Sequence, residues 1–395
     1  MRPPKTWWNS APGSSLLPSS SSSRRYLRRA LSLAARGRYG TSPNPRVGAV
    51  LVRDGEVVGE GYHRRPGGPH AEVEALRQAG DAARGATLYV TLEPCSHHGR
   101  TPPCADAVLE AGVARVVACH RDPNPQVAGN GFQRLRDAGV EVEWGLETGE
   151  DTTRDAVALN LPFLTSLVLQ RPAVTVKWAM SLDGRIATAS GESQWISSPQ
   201  GRRWALDLRE EHDAILVGSG TAVADDPRLN RRMSKAPGPI LRVVMDRRLR
   251  LPPTARLFQV EGEVVVYTES PDEAAHRRLE EAGATVVADL PGGVEPVSVL
   301  ADLHRRGVQS LLVEGGGVLL ASFVEAQLFD RVAVDCAPML IGGAGAPGPL
   351  GGAGALSLTE APRIEELVIR RRGGDLILEG FREGCLPDLL RSVVG

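Results

Sequence analysis

Apolar residues first fall into register at Leu27, Leu31 and Ala34. They stand three or four apart with Arg28, Arg29 and Arg36 between them, which predicts a helix beginning near Arg24. Asn44-Pro45-Arg46 breaks that pattern. Val47 to Val52 and Glu56 to Glu60 read as two strands about the turn Asp54-Gly55, a strong hairpin signal. Helices are then expected at His70 to Ala79, Pro103 to Ala111 and Gln133 to Ala138. Strands are expected at Ala86 to Leu92, Ala114 to Ala118 and Val140 to Trp144. Such alternation implies an α/β layer structure.

The series restarts after Gln170-Arg171-Pro172. Ala173 to Trp178, Ala214 to Val217, Leu241 to Met245, Val264 to Tyr267, Thr285 to Ala288 and Ser310 to Val313 read as strands, mostly with helical stretches between. Arg331 to Cys336 and Glu366 to Glu379 are β-rich. The glycine-rich run from Gly342 to Gly354 reads as a mobile loop, and no internal repeat is visible.

At 395 residues the chain is too long for one ordinary core. The expected division is an extension over 1–23, a domain over 24–166 and a second over 171–395. Residues 1–23 are proline-rich and end in a serine run. They read as a disordered tail, with an organellar targeting segment as the alternative that their Ser-rich, acid-free composition raises. With 42% apolar and 24% charged residues and no apolar run long enough to span a bilayer, a cytoplasmic protein is expected. The net charge of -1 hides an asymmetry: residues 1–53 hold ten basic residues and no acid, leaving the rest at -11. An acidic body argues against a polynucleotide substrate. Five cysteines make no disulfide framework. Cys119 and Cys336 follow apolar runs and read as strand hydrophobes, which sets Cys95 and Cys104 apart.

Those two belong with His70-Ala-Glu72. Two thiolates and an imidazole are three zinc ligands that leave a fourth position open, and the acid two residues from the histidine is no ligand. On a helix the two would diverge by about 200° if both lay deep within it. At a first turn, His70 can hold metal while Glu72 reaches the water and shuttles its proton, which is the division of labour of zinc deaminases. A closed structural zinc, with His97 or His98 as fourth ligand, is the competing reading; such a site has no use for His-Ala-Glu. Eight residues separate the cysteines, Ser96-His97-His98-Gly99-Arg100-Thr101-Pro102-Pro103. This polar, basic loop suits a phosphate, and equally a solvated loop.

The second domain opens with Lys177-Trp-Ala-Met-Ser-Leu-Asp-Gly-Arg185. Ser190-Gly-Glu-Ser-Gln-Trp-Ile196, Leu216-Val-Gly-Ser-Gly-Thr221, Ala224-Asp-Asp-Pro-Arg-Leu229 and Leu312-Val-Glu-Gly-Gly-Gly317 follow. Two of these run from a strand through glycines into a helix, a turn that lets backbone N–H groups approach a phosphate. Gly315 to Gly317 lacks the spacing of a Rossmann fingerprint, and glycines in a tight turn are its ordinary explanation. Asp246-Arg247-Arg248 ends a strand, where arginine can hold a 2′-phosphate or simply face solvent.

Taken together, these segments resemble the bifunctional riboflavin-biosynthesis deaminase–reductase family over roughly residues 24 to 395. The first half adds Pro43-Asn-Pro-Arg-Val-Gly-Ala49, Gly59-Glu-Gly-Tyr-His63, Thr91-Leu-Glu-Pro-Cys95 and Asp122-Pro-Asn-Pro-Gln-Val-Ala-Gly129. The resemblance implies a cytidine-deaminase-like three-layer domain followed by a dihydrofolate-reductase-like α/β domain. It implies zinc on His70, Cys95 and Cys104, Glu72 as catalytic proton shuttle, Asn44 and His63 near base and ribose, and His97 and Arg100 near the phosphate. In the second half it implies NADPH against Ala179, Trp195, Thr221, Asp225 and the stretch Gly316, Gly317, Val318, Leu319, Leu320, Ala321 and Ser322. Substrate falls to Lys177, Ser193, Arg209, Leu229, Arg232 and Glu314.

The implied reaction is deamination of a 2,5-diamino-6-ribosylamino-pyrimidinone 5′-phosphate followed by reduction of its ribosyl chain. The partner is this small phosphorylated pyrimidine, with no nucleic acid or membrane, in a homo-oligomer. One departure concerns the connector. The family often has Asn-Lys-Gly-Phe where this chain has Asn160-Leu-Pro-Phe163, which puts the connecting helix in doubt.

Overall fold

The computed structural model describes residues 19–96, 102–124 and 128–394. They divide into two compact units, one reaching Leu169 and regaining the chain at Leu386, the other spanning Gln170 to Cys385. The expected tail over 1–23 lies outside the described residues up to 18. Ser19 to Ser23 are already helical, so the first helix begins before Arg24.

The first unit runs α1 (Ser19–Ala34), β1 (Gly48–Arg53), β2 (Glu56–Tyr62), α2 (Ala71–Ala79), β3 (Thr87–Val90), α3 (Cys104–Glu110), β4 (Arg115–Ala118), α4 (Asn130–Asp137), β5 (Glu141–Trp144), α5 (Glu150–Leu159) and α6 (Leu161–Leu169). Its sheet has the order β2-β1-β3-β4-β5. β1 is antiparallel to both neighbours, and β3, β4 and β5 are parallel. Alternate side chains of a strand point to opposite faces. Ala49, Leu51, Leu88, Val90, Val116 and Ala118 accordingly pack with α2, α3 and α4. Val50, Val52, Tyr89, Val117 and Cys119 pack with α1 and α5. Both faces are buried, giving three layers.

The connector does form a helix. Pro162 sits in the first turn of α6, where its missing N–H has no intrahelical partner to lose. Asn160, between α5 and α6, clamps a distant loop. It accepts from Arg46 N–H at 2.7 Å and donates to the Arg46 carbonyl at 3.0 Å, fixing the turn that carries Asn44.

The second unit runs β6 (Ala173–Ser181), α7 (Pro199–Glu211), β7 (Ala214–Gly218), α8 (Ser219–Asp225), β8 (Leu241–Met245), β9 (Val264–Tyr267), α9 (Glu273–Glu281), β10 (Ala284–Val287), α10 (Pro296–Arg305), β11 (Ser310–Glu314), α11 (Gly317–Glu325), β12 (Arg331–Ala337), β13 (Ile364–Arg372) and β14 (Asp375–Arg382). The sheet order is β10-β9-β8-β7-β11-β6-β12-β14-β13. Strands from β10 to β12 are parallel, and the β13–β14 hairpin closes one edge antiparallel. Val174, Val176, Leu311 and Val313 face a core with α10 and α11. Ile215, Val217, Val244 and Leu312 face one with α7.

The run from Gly342 to Gly354 is irregular, as expected, but it is tied down. Asp183 accepts from the N–H groups of Ile341 and Gly342 at 3.1 and 2.7 Å. Arg185 donates to the Ala346 carbonyl, and Gly351 N–H to the Gly317 carbonyl.

The sequence reading carries the second domain to residue 395; the structure returns the last helix, α12 (Cys385–Val394), to the first unit from Leu386 onward. Leu386, Leu389 and Val393 form its buried stripe, and Arg121 N–H donates to the Val393 carbonyl. An amphipathic stripe says that a helix must be covered, not which core covers it.

Candidate active sites

α2 and α3 begin at the carboxyl end of the first sheet. His70 is the residue before α2, in extended conformation at φ -75° and ψ 165°. That break from helical geometry answers the rotation problem, because only Glu72 of the two lies within the helix. Gly61 on β2 sets how closely α2 sits: a Cβ there would meet the Ala71 carbonyl oxygen at 2.2 Å. Cys104 is the first residue of α3, and its N–H donates to Cys95 Sγ at 3.3 Å.

His70, Cys95 and Cys104 converge, with their ligand atoms all within 4.8 Å of one another. His70 Nδ1 lies 3.0 Å from Cys104 Sγ and 3.6 Å from Cys95 Sγ. Ligand atoms around a tetrahedral zinc stand roughly 3.6 Å apart, so the trio fits the ion with little movement. The charges fit too. The Cys104 thiol and the His70 side chain hold Cys95 down to about 4 against the pull of burial, while Cys104 is pushed up by Cys95 and burial. Two sulfurs this close share one proton unless a cation neutralises both. Glu72 is 3% exposed, and burial pushes its carboxyl up to about 7.

Asn44 and His63 stand beside this cluster. The His63 and His70 rings meet edge to face, their centroids 5.2 Å apart. His63 Nδ1 donates to the Pro69 carbonyl at 3.1 Å, which leaves Nε2 to accept from Asn44 Nδ2 at 3.1 Å. Burial lowers the His63 pKa, so the neutral ring suits this arrangement. His97 and Arg100 lie outside the described residues, as does His98.

Sequence reasoning missed Glu93. Its carboxylate accepts from the N–H groups of Asp122, Gly129, Gly131 and Phe132 at 2.9 to 3.2 Å. This ties the Pro94-Cys95 turn to the start of α4, so closely that a Cβ on Gly131 would lie 2.0 Å from the Pro94 carbonyl oxygen. An acid two residues before the cysteine was visible; its partners 29 to 39 residues away were not.

The second unit holds a cavity of about 1330 Å³ at the carboxyl ends of β6, β7 and β11, where open α/β sheets place their ligands. Every residue named above for cofactor or substrate in this unit lines it except Ala321, which is buried in α11. Leu229 is also mostly buried, at 1% exposure. Arg209 and Glu314 pair with each other. Burial would raise the Glu314 carboxyl, but the charges of Arg209 and Lys177 outweigh it and hold it at about 2. Gly315 and Gly316, at φ +70° and +77°, make the turn from β11 into α11. Arg247 and Arg248 also open onto the cavity, as do Arg202, Arg228, Arg250 and Arg256, which the sequence reading did not single out. Their scatter over 55 positions hid a basic wall.

A three-ligand metal cluster with a buried acid, and separately a basic, glycine-lined cavity of nucleotide size, define a two-site enzyme, a deaminase joined to a reductase. Residues 20–120 match the cytidine and deoxycytidylate deaminase zinc-binding region, and residues 172–378 match the RibD C-terminal domain. The chain is 45% identical over 365 residues to riboflavin biosynthesis protein RibD of Escherichia coli, covering 89% of this chain and 97% of that one. It is 41% identical to RibD of Aquifex aeolicus, covering 90% and 97%. Among solved structures, Acinetobacter baumannii RibD superposes with a TM-score of 0.80 at 37% identity, covering 92% of this chain and 99% of that one. The deaminase/reductase of Thermotoga maritima gives 0.77 at 33%, covering 92% and 100%. The chain therefore belongs to the RibD family, the bifunctional deaminase–reductases of riboflavin biosynthesis, with the cytidine-deaminase-like and reductase folds expected of it. No helix among the described residues is long and apolar enough to cross a membrane.

Proposed function

We propose that the first unit hydrolyses the 2-amino group of 2,5-diamino-6-ribosylamino-4(3H)-pyrimidinone 5′-phosphate. The second then reduces the ribosyl chain with NADPH to give 5-amino-6-(5-phosphoribitylamino)uracil. The observation that carries the first step is the buried Glu72 carboxyl beside the convergent His70, Cys95 and Cys104. When bound to those three residues, zinc supplies a Lewis acid that makes water nucleophilic near neutral pH. Glu72 takes the proton that the attacking water releases and delivers it to the departing amino nitrogen. Asn44 and His63, locked by their mutual hydrogen bond, orient the base and ribose. The phosphate is assigned to His97 and Arg100.

In the second unit, NADPH supplies the hydride. Ala179, Trp195, Thr221, Asp225 and the start of α11 are assigned to the cofactor. Lys177, Ser193, Arg209, Leu229, Arg232 and Glu314 are assigned to the substrate. Arg209 keeps Glu314 ionised and fixed, so its carboxylate presents two acceptors to sugar hydroxyls while Lys177 offers a donor.

A Cys95→Ala variant tests both halves of the reading. It is expected to lose ammonia release while still oxidising NADPH with the deaminated intermediate, followed by the loss of the reduced nicotinamide's absorbance. Loss of both activities in a folded variant would count against independent sites.

A further inference from the structure

Asp335 on β12 and Asp375 on β14 are each 1% exposed. A Cβ added to Gly201, in the first turn of α7, would meet Oδ2 of both at 2.3 Å, so the two carboxyls converge on one spot. Their partners differ. Ser198 donates to Asp375 Oδ2 from its N–H at 2.8 Å and from its hydroxyl at 2.6 Å. Neither oxygen of Asp335 has a donor in hydrogen-bond geometry among the described residues. Lys177 on β6, Asp375 on β14, Ser197 ahead of α7 and the Cys336 thiol next on β12 are the charged or titratable groups that bear on it. Two buried carboxyls this close cannot both ionise. Burial first, and Asp375 with it, raise the Asp335 carboxyl, while Ser197 and the Lys177 charge oppose.

A short chain of contacts leads from these acids to the cavity. Ser198, held by Asp375, caps α7 by accepting from Gly201 N–H at 3.2 Å. One residue on, Arg202 donates to the Ser197 carbonyl at 2.8 Å, and its guanidinium lies over the Trp195 ring, 4.7 Å from the centroid. Ser193, Trp195, Ser197 and Arg202 all line the cavity; the two acids do not. We propose that Asp335 and Asp375 hold one proton between them, Asp335 donating it to Asp375, and that this pair positions Trp195 for the reductase through Ser198, α7 and Arg202. Loss of the shared proton sets two buried negative charges face to face and loosens the Asp375–Ser198 clamp. The positioning role rests on the assignment of Trp195 to NADPH.

Reductase kinetics of the full-length protein from about pH 5 to about pH 9, the range that buried carboxyls reach, test this. In the unaltered protein the KM for NADPH is expected to rise roughly 10- to 100-fold as the pair ionises, with kcat little changed. Asp335→Asn keeps a donor toward Asp375 at every pH, so its KM is expected to stay flat and its deaminase activity to match the parent. The variant is also expected to melt above the parent at alkaline pH and with it near the unfolded value of 3.8, because a raised carboxyl loses its contribution as pH rises through the folded value. In infrared spectra at neutral pH, one protonated-carboxyl band of the parent is expected to disappear in Asp335→Asn. Should that variant fail to fold, Asp335→Leu removes the same charge and is expected to give the same flat KM. Parallel KM profiles in parent and variant, or a carboxyl band indifferent to the substitution, overturn the proposal. Trp195→Ala tells the two readings apart. A KM for NADPH that ignores it counts against the cofactor assignment, whereas the infrared band and the melting curves test the shared proton without it.

Discussion

Arg209 donates from Nε and Nη2 to the two carboxylate oxygens of Glu314, at 3.0 and 2.8 Å, while Lys177 faces Glu314 across the β6–β11 ladder. Both partners of this pair are about nine-tenths buried, at 13% and 12% side-chain exposure. Removing one partner of such a pair strands the other's charge, at a cost of about 3 kcal/mol. A Glu314→Gln variant should lose about that much stability in urea melts, together with reductase kcat/KM.

The same pair sets a pH dependence. The Glu314 carboxyl is lowered from 4.5 to about 2. A depressed carboxyl stabilises the fold above its unfolded pKa, and that contribution fades as pH falls through the folded value. The stability gap between the unaltered protein and Glu314→Gln should be flat above pH 5 and shrink between about pH 4.5 and 2. A gap that does not change over that window would contradict the assigned ionisation.

Glu72→Gln keeps the shape of the carboxyl but cannot carry a proton. Deamination should fall by roughly 10²- to 10⁴-fold, the usual worth of a positioned general acid–base group. Elemental analysis should find zinc retained and reduction of the deaminated intermediate unchanged. Full deaminase activity with metal bound would remove Glu72 from the mechanism.

Stripping the metal should expose the strain on Glu72. Its folded pKa is raised from 4.5 to about 7, so its contribution to stability is present below the unfolded value and is lost as pH rises through the folded one. Zinc-free Glu72→Gln should therefore melt higher than the zinc-free parent at pH 8, with the difference vanishing near pH 4.5, about the unfolded value. Calorimetry of the chelated proteins reads this directly.

Glu93→Ala should loosen the Cys95 turn without touching substrate. Four N–H groups lose their acceptor, and supporting contacts of this kind are worth about 10- to 100-fold in metal affinity. A zinc competition titration checks this. Unchanged affinity would make Glu93 a purely local brace.

Much of this was legible along the chain. The strands were marked by short apolar runs, and the set of His70, Cys95 and Cys104 that the fold brings together was marked by residue type and spacing. What escaped notice was set by distant partners. α5 carries Thr152 and Thr153, poor helix formers by sequence. In the fold their hydroxyls reach the carbonyls of Gly149, Cys119 and Gly145, two of them outside the helix's own neighbourhood. Glu93 and Asn160 looked like ordinary turn residues because their partners are remote. The rotation between His70 and Glu72 could not be resolved from spacing either, since it depends on one residue adopting extended backbone before the helix starts.

The return of α12 to the first unit makes the second unit an insertion, entered at Gln170 and left at Cys385. Asp330 gathers both of its ends, accepting from Arg171 at 2.7 Å and lying 3.7 Å from Cys385 Sγ. A nonsense codon just after Cys385 would spare every cofactor and substrate residue assigned to the reductase. It would still strip a helix from the deaminase. Damage to the segment after Cys385 should thus strike the deaminase unit while sparing the reductase sites.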